Sequence, residues 1–382
     1  MQYTHGHLGC RSRYAIRLLI YCLVFVTALI GVGPNGDVGL AVRAESNEAT
    51  AVRAAFGIEY AVPNGPYNLA EEAPGRIWYT SLDADGLGFL EVISSPDEPT
   101  LRYRTDFYGF GEGARPYDLV YHDGFVWFTL NGRRSLGKID VETREITTYP
   151  LLSFGALPTG IDVDPTGKLW IAQNNGRISS FDPTTEEFTE YIMPDSLTAT
   201  PRIEDIDYYN ERNIWFTMPD ANLVVKYDAV RGRFGEFPVS GGVQPQHIVA
   251  TGEVVWITAF NTSNIGVFFF STLTTWLWYD TPTPDSGPAG LLLINNPGGL
   301  REVWFTENKT GSIGRLQLYN GYIQINSEKI GPHDPPGNTW GIIQSANGNI
   351  WVADRGRNLL YELVSPYIHR VYIASVKGPQ AE

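Results

Sequence analysis

The sequence predicts an all-β protein, a seven-bladed β-propeller of four-stranded antiparallel blades whose ring is closed by the N-terminal strand. Three observations predict it. A short motif, an apolar residue followed by Trp and a second apolar or aromatic residue, recurs at Trp78, Trp127, Trp170, Trp215, Trp256, Trp304 and Trp351, with spacings of 41–49 residues. Turn signals such as Pro74-Gly75, Asp123-Gly124, Thr166-Gly167 and Asn347-Gly348 precede these motifs, making each the second strand of a hairpin. Four strands per repeat of this length is the signature of propeller blades, which bury both sheet faces against their neighbours.

Residues 1–44 differ in kind from the rest. Arg11, Arg13 and Arg17 precede the apolar run Leu18 to Gly33, and Val42-Arg43-Ala44 offers small residues for cleavage. This is the pattern of an export signal, or, if uncleaved, of an N-terminal anchor. Either reading places the folded part outside the cytoplasm, in the extracellular space, the periplasm or at the cell surface. Polar, Ala-rich residues 45–55 read as a linker. Ordered structure is expected over 56–376, with 377–382 as a tail.

Within the array the third unit shows the expected order. Ile161 to Val163 is the inner strand, Leu169 to Ala172 the Trp strand, Arg177 to Phe181 the third and Glu187 to Tyr191 the outermost. Phe56 to Val62, ending in Pro63, resembles the outermost strands Ile146 to Tyr149 and Phe188 to Tyr191, and has no partner upstream. It is therefore assigned to close the last blade and remove a free sheet edge. Arg370 to Val376 is the competing or additional outer strand.

Composition narrows the partners. The chain has 382 residues, a net charge of −14, and 43% hydrophobic residues, enough for a large core. The segment 1–44 carries four arginines and a single acidic residue, so the remainder is more acidic still. Such acidity disfavours nucleic acid and anionic membrane as partners, with membrane attachment expected only through an uncleaved leader. Both cysteines, Cys10 and Cys22, lie in the leader, which leaves the array without a thiol or disulfide.

A short loop, usually with Pro, precedes each inner strand: Pro66-Tyr67-Asn68, Pro116-Tyr117-Asp118, Pro158-Thr159-Gly160, Pro201 to Asp205, Pro245-Gln246-His247, Pro288-Ala289-Gly290 and Thr339-Trp340-Gly341. In an up-down-up-down blade these loops share a face with the residues that follow the Trp motifs, among them Glu307 and Asp354. Their side chains differ while the strands repeat, so a site is expected there. Tyr67, Asn68, Tyr117, Asp118, Gln246 and Trp340 are the candidate ligand-binding residues. His247 with Asp205 is the candidate acid–base pair, since a histidine beside a carboxylate suits proton transfer. Asp118, Glu204, Asp205 and Glu307 are the candidate oxygen ligands for a divalent cation, magnesium or calcium. The alternative for each is a polar side chain that only solvates the funnel. Asn261-Thr262-Ser263 and Asn308-Lys309-Thr310 match the glycosylation pattern. The cluster Phe268-Phe269-Phe270 with Trp276 and Trp278 reads as the thick interior of blade five or as a contact patch.

Pro158-Thr159-Gly160-Ile161, Trp304-Phe305-Thr306-Glu307-Asn308, Ser312-Ile313-Gly314-Arg315 and Ser135-Leu136-Gly137-Lys138-Ile139 resemble the repeats of the streptogramin lyase family, the virginiamycin B lyase type. The resemblance implies the seven-bladed fold over residues 56–376. It also implies elimination chemistry on a cyclic depsipeptide, using a histidine in the loop leading into a late blade and a magnesium-bound glutamate after the last Trp strand. Here Ala289 and Trp340 stand at the loop positions, and Arg355 falls where the acidic residue is expected, with Asp354 one position earlier. Tyr67 matches an aromatic residue of the family's first blade.

The expectation is an exported propeller that binds a small molecule, a peptide or another exported protein in its funnel, without the lyase residues. Two alternatives stand beside it: an enzyme with relocated residues, either a lyase or a lactonase-like hydrolase, and a scaffold docking through its aromatic fifth blade.

Overall fold

The computed structural model describes residues 26–32, 38–54, 57–94, 100–194, 202–210, 212–252, 254–270, 275–281, 283–295, 301–319, 322–326 and 337–364. Seven antiparallel four-stranded blades form a closed ring. The inner strands, in blade order, are Leu69–Ala73, Pro116–His122, Pro158–Val163, Ile206–Asn210, Pro245–Thr251, Pro288–Asn295 and Thr339–Gln344. Each pairs with the Trp strand that follows it, and two further strands complete the sheet. The seventh blade takes its outer strand from the other end of the chain: Gly57–Ala61 pairs antiparallel with Leu359–Leu363. Tyr60 locks this closure, donating to Glu362 Oε2 at 2.7 Å and stacking on Trp351 at 5.1 Å. The stretch 370–376 lies outside the described residues.

The N-terminal segment differs from expectation. Val38–Thr50, which spans the end of the expected leader and the start of the expected linker, is a strand that pairs with Arg102–Gly109 and with Val26–Val32, so blade one's sheet has six strands. Val52–Ala54 likewise adds to the outer edge of blade seven. The outermost strand of a blade is an open edge with unpaired amides, and any adjacent extended chain can satisfy them.

The repeated residues have distinct physical jobs. The Trp side chains are wedged between blades, from 0% to 5% exposed across the seven copies. In blades two and six the aromatic residue after Trp has a glycine opposite it in the third strand: Phe128 faces Gly137 and Phe305 faces Gly314. A Cβ on Gly137 would sit 2.2 Å from the Phe128 ring, and on Gly314 it would sit 2.1 Å from Phe305. That is the steric reason for glycine in Leu136-Gly137-Lys138 and Ile313-Gly314-Arg315. Phe268, Trp276 and Trp278 pack with Trp215 and Phe237 across blades four and five, the interior reading of that aromatic cluster.

The threonine two places after Trp joins neighbouring blades. Thr217 Oγ1 accepts from the Asp205 amide of its own blade at 3.2 Å and donates to the Gln246 carbonyl of the next at 2.7 Å. Thr80, Thr129, Thr258 and Thr306 do the same for the junctions that follow their blades. Blade three has Ala172 at this position, and Thr159 from its inner loop reaches the Ile203 carbonyl instead, at 2.7 Å. Blade seven has Ala353, and the ring closes through Gly341 N–H to Tyr67 O at 2.8 Å.

Thr217→Val leaves a buried amide and a buried carbonyl unpaired. It should lower stability by about 2–3 kcal/mol in a denaturant titration, whereas Thr189→Val on an exposed outer strand should stay within about 0.5 kcal/mol. Equal stability of the two variants would contradict the role assigned to these hydroxyls.

Candidate functional site

The inner strands start irregularly. Their pairing with the Trp strands shifts register between Pro158 and Ile161, Pro245 and Ile248, Pro288 and Leu291, and Thr339 and Ile342. Each shift is a bulge that re-aims the residues after the proline toward the axis. Asn68, Asp118, Asp205 and His247, each at the start of its blade's inner strand, converge around an axial cavity of about 140 Å³, whose remaining wall includes Leu291, Ile342 and Ile343. Gly290 and Gly341 also line it, and neither tolerates a side chain: a Cβ would lie 2.1 Å from Trp340 O at the first and 2.8 Å from Tyr67 O at the second.

His247 Nδ1 lies 3.3 Å from Asp205 Oδ2. Burial works against the charged imidazole, yet the Asp205 carboxylate, helped by Asp118 and Glu204, raises the histidine above its ordinary pKa. Asp205 is itself held by the amides of Ile206 and Ile248, both at 2.9 Å. Asp118 accepts from Asn68 Nδ2 at 3.0 Å, Leu119 N at 2.9 Å and Ile161 N at 3.0 Å. These bonds do not offset burial and the repulsion of Asp205, which push the Asp118 carboxyl up to about 7. The site therefore holds a histidine that favours its charged form and a carboxyl that exchanges its proton near neutrality, a combination suited to acid–base chemistry and to binding a polar ligand.

A second chain of contacts runs next to the cavity without lining it. Tyr67 stacks on Trp340 at 4.8 Å and its hydroxyl meets that of Tyr117 at 3.1 Å. Tyr117 donates to Glu204, which also pairs with Arg202. Burial raises both tyrosines, keeping them protonated donors. Phe260, not singled out by sequence, lies parallel to Trp340 at 6.2 Å, with Lys309 over its ring at 5.3 Å. Its only sequence signal is its position one residue past a Trp-strand end.

The remaining candidates fall elsewhere. Gln246 is buried and does not line the cavity, with its carbonyl taken by Thr217. The residues after the Trp motifs, including Glu307 and Asp354, lie buried beneath the loops and do not line the cavity. The proposed cation ligands are not assembled: Asp118 and Asp205 flank the cavity, Glu204 is engaged by Tyr117 and Arg202, and Glu307 contacts Thr310 in blade six. Among the described residues no three His, Cys, Asp or Glu side chains group to hold a metal.

The magnesium site implied by the resemblance does not fit either. Asp354 Oδ2 pairs with Arg357 at 3.0 Å and Oδ1 accepts the Asn338 and Arg357 amides, while Arg355 pairs with Asp83. A cation on the Asp354 carboxylate would meet the Arg357 guanidinium and the two amides already bound there. Asn308 donates to Asn338 Oδ1 and Thr339 O from a buried position, so it serves blade packing and not glycosylation. His122 lies beside Gly167 on the opposite face, and His333 and His369 lie outside the described residues.

Carbon-13 NMR of the folded protein should show Asp118 titrating near pH 7, against an ordinary 3.8, and moving down on Asp205→Asn. The folded state holds this proton more tightly than the unfolded chain. Its contribution to stability is thus complete below the ordinary carboxylate pKa and is lost as pH rises toward 7. Titration near 4, or no downward move in the variant, would contradict the electrostatic account.

Comparison with known proteins supports the repeat reading. The model of the virginiamycin B lyase family matches residues 28–240. A virginiamycin B lyase from Nocardia farcinica is 26% identical over 161 residues, which is 42% of this chain and 53% of that protein, so the match spans about half of the relative's length. A streptogramin B lyase structure superposes with a TM-score of 0.64 at 22% identity, covering 83% of this chain and 97% of that one. A catalytically inactive virginiamycin B lyase from Staphylococcus aureus with quinupristin gives 0.63 at 22% identity, covering 84% and 100%. At that identity the structural likeness speaks to the fold. With more than half of its length matched by the family model, the chain belongs to the virginiamycin B lyase family.

Proposed function

We propose that the protein is an exported propeller that binds a small molecule or peptide in its axial funnel without the elimination chemistry of the lyases. The observation that carries this reading is the convergence of His247, Asp205 and Asp118 on one cavity beside the Tyr67, Tyr117 and Trp340 wall. Ala289 and Trp340 occupy the positions where the resemblance expects a histidine, and Arg357 neutralises the carboxylate nearest the expected metal ligand. Aromatic faces and a few convergent polar groups are the usual makings of a ligand site. Export rests on the leader-like sequence pattern of residues 1–44, of which 26–32 and 38–44 also pair into blade one's sheet; N-terminal sequencing of protein recovered outside the cytoplasm tests both the export and whether these strands are retained.

The His247–Asp205 contact favours a second reading, an enzyme whose base sits in blade five. In an elimination the base would take a Cα proton, the electron pair would form the double bond, and the ester C–O bond would break to release a carboxylate.

Quinupristin, the compound bound by the Staphylococcus aureus relative, separates the two readings. Calorimetry should show saturable binding, weakened about tenfold or more by Trp340→Ala, and chromatography should recover the ring uncleaved. Ring opening at an enzyme-like rate, lost on His247→Ala, would establish the second reading. Absence of binding would remove quinupristin as a ligand and count against a funnel suited to cyclic peptides.

A further inference from the structure

On the face opposite the funnel, hairpins of blades one and two enclose a pocket of about 620 Å³, within the range of small-molecule sites. Its lining carries both signs of charge on different elements. Blade one contributes Glu72 and Arg76, and Arg144 from blade two lies over the rings of Trp78 and Phe89, at 4.9 Å and 4.6 Å. Glu72 is committed: Trp78 Nε1 donates to one oxygen at 2.9 Å and Arg76 Nη2 pairs with the other at 2.9 Å. Arg144 Nη1 stays 4.0 Å from Glu72, beyond hydrogen-bond reach. Arg76 Nε is 3.8 Å from Glu91, which pairs more closely with Arg104. Arg76 Nε and Arg144 Nη1 are therefore buried donors without an acceptor among the described residues. Around Glu72 and Glu91, three arginines share two carboxylates.

Blade two supplies the opposite sign. Asp123 and Glu142 are exposed at the pocket, and Asp140 is fixed there by the Glu142 and Thr143 amides, both at 2.8 Å. Those amides, that of Thr143 foremost, together with the Thr143 hydroxyl and the charge of Arg144, hold the Asp140 carboxyl below the usual range despite some burial. Tyr121 and Phe125 complete the lining with aromatic surface.

We propose that this pocket binds a small zwitterion, a free amino acid or dipeptide, with its carboxylate on Arg144 and Arg76 and its ammonium on Asp140 and Glu142. An anion alone meets the blade-two carboxylates, and a cation alone meets the guanidinium pair. Only a ligand carrying both charges satisfies the two groups. The site stands apart from the funnel and does not depend on what the funnel binds.

Calorimetry on the full chain with the dipeptide Gly-Phe, its N-acetyl form and its C-terminal amide tests this. Saturable binding of the free dipeptide is expected, falling about tenfold or more when either end is blocked. Glu142→Gln, at an exposed position, and Arg76→Gln should each weaken it comparably, with thermal melting confirming that the variants fold. No saturation up to about 10 mM, equal binding of the blocked forms, or indifference to both variants would overturn the proposal. So would loss of binding on His247→Ala, which would place the dipeptide in the funnel.

Discussion

The structure depends on how the inner strands satisfy their outward-facing backbone groups. Each inner strand is a sheet edge at the centre of the ring, where unpaired amides and carbonyls have neither a ladder partner nor free access to water, and leaving them so is costly. The chain solves this with side chains from the adjacent blade. Threonine hydroxyls take the carbonyls, and aspartates take the amides: Asp118 that of Ile161, Asp162 that of Tyr208, Asp205 that of Ile248 and Asp207 that of Ala250, at 2.7–3.0 Å. The same bonds hold the blades at fixed spacing, so the ring and its central cavity are one construction.

The candidate site follows from this arrangement. Asp118 and Asp205 are structural acceptors first, and their placement beside the axis puts carboxylates next to each other in a poorly hydrated space. Burial raises Asp118, and burial with neighbouring carboxylates raises Asp162 and Asp207 as well. His247 enters where one more positive charge compensates Asp205. Polar chemistry at the axis thus comes from the way the blades are joined, and the contacting rings of Tyr67, Trp340 and Phe260 form an aromatic group on the same face.

Much of this is legible in sequence because it is local and periodic. The Trp strands, their hairpin turns and the proline-led loops repeat at fixed offsets, so blade number, the closing strand and the shared face of Tyr67, Asp118 and His247 follow from position alone. What was not legible depends on partners far apart in the chain. Nothing near Glu204 indicates that Tyr117, 87 residues away, donates to it. Nothing near Asp354 shows that it sinks beneath the loops, because the blade's last strand residue can face either way until the bulge is known. The strand Val38–Thr50 was hidden by its overlap with the leader. The threonine after Trp read as part of a motif, and its role emerges only when the next blade is in place.

Hydrogen exchange read at single amides tests the central claim most directly. The amides of Ile161, Tyr208, Ile248 and Ala250 lie on strand edges, where no sheet ladder protects them. The aspartate bonds predict that they exchange as slowly as ladder amides of the adjoining Trp strands and accelerate only where the corresponding aspartate is replaced by alanine. Exchange as fast as that of the exposed loop at Gly155, in the unaltered protein, would contradict the account.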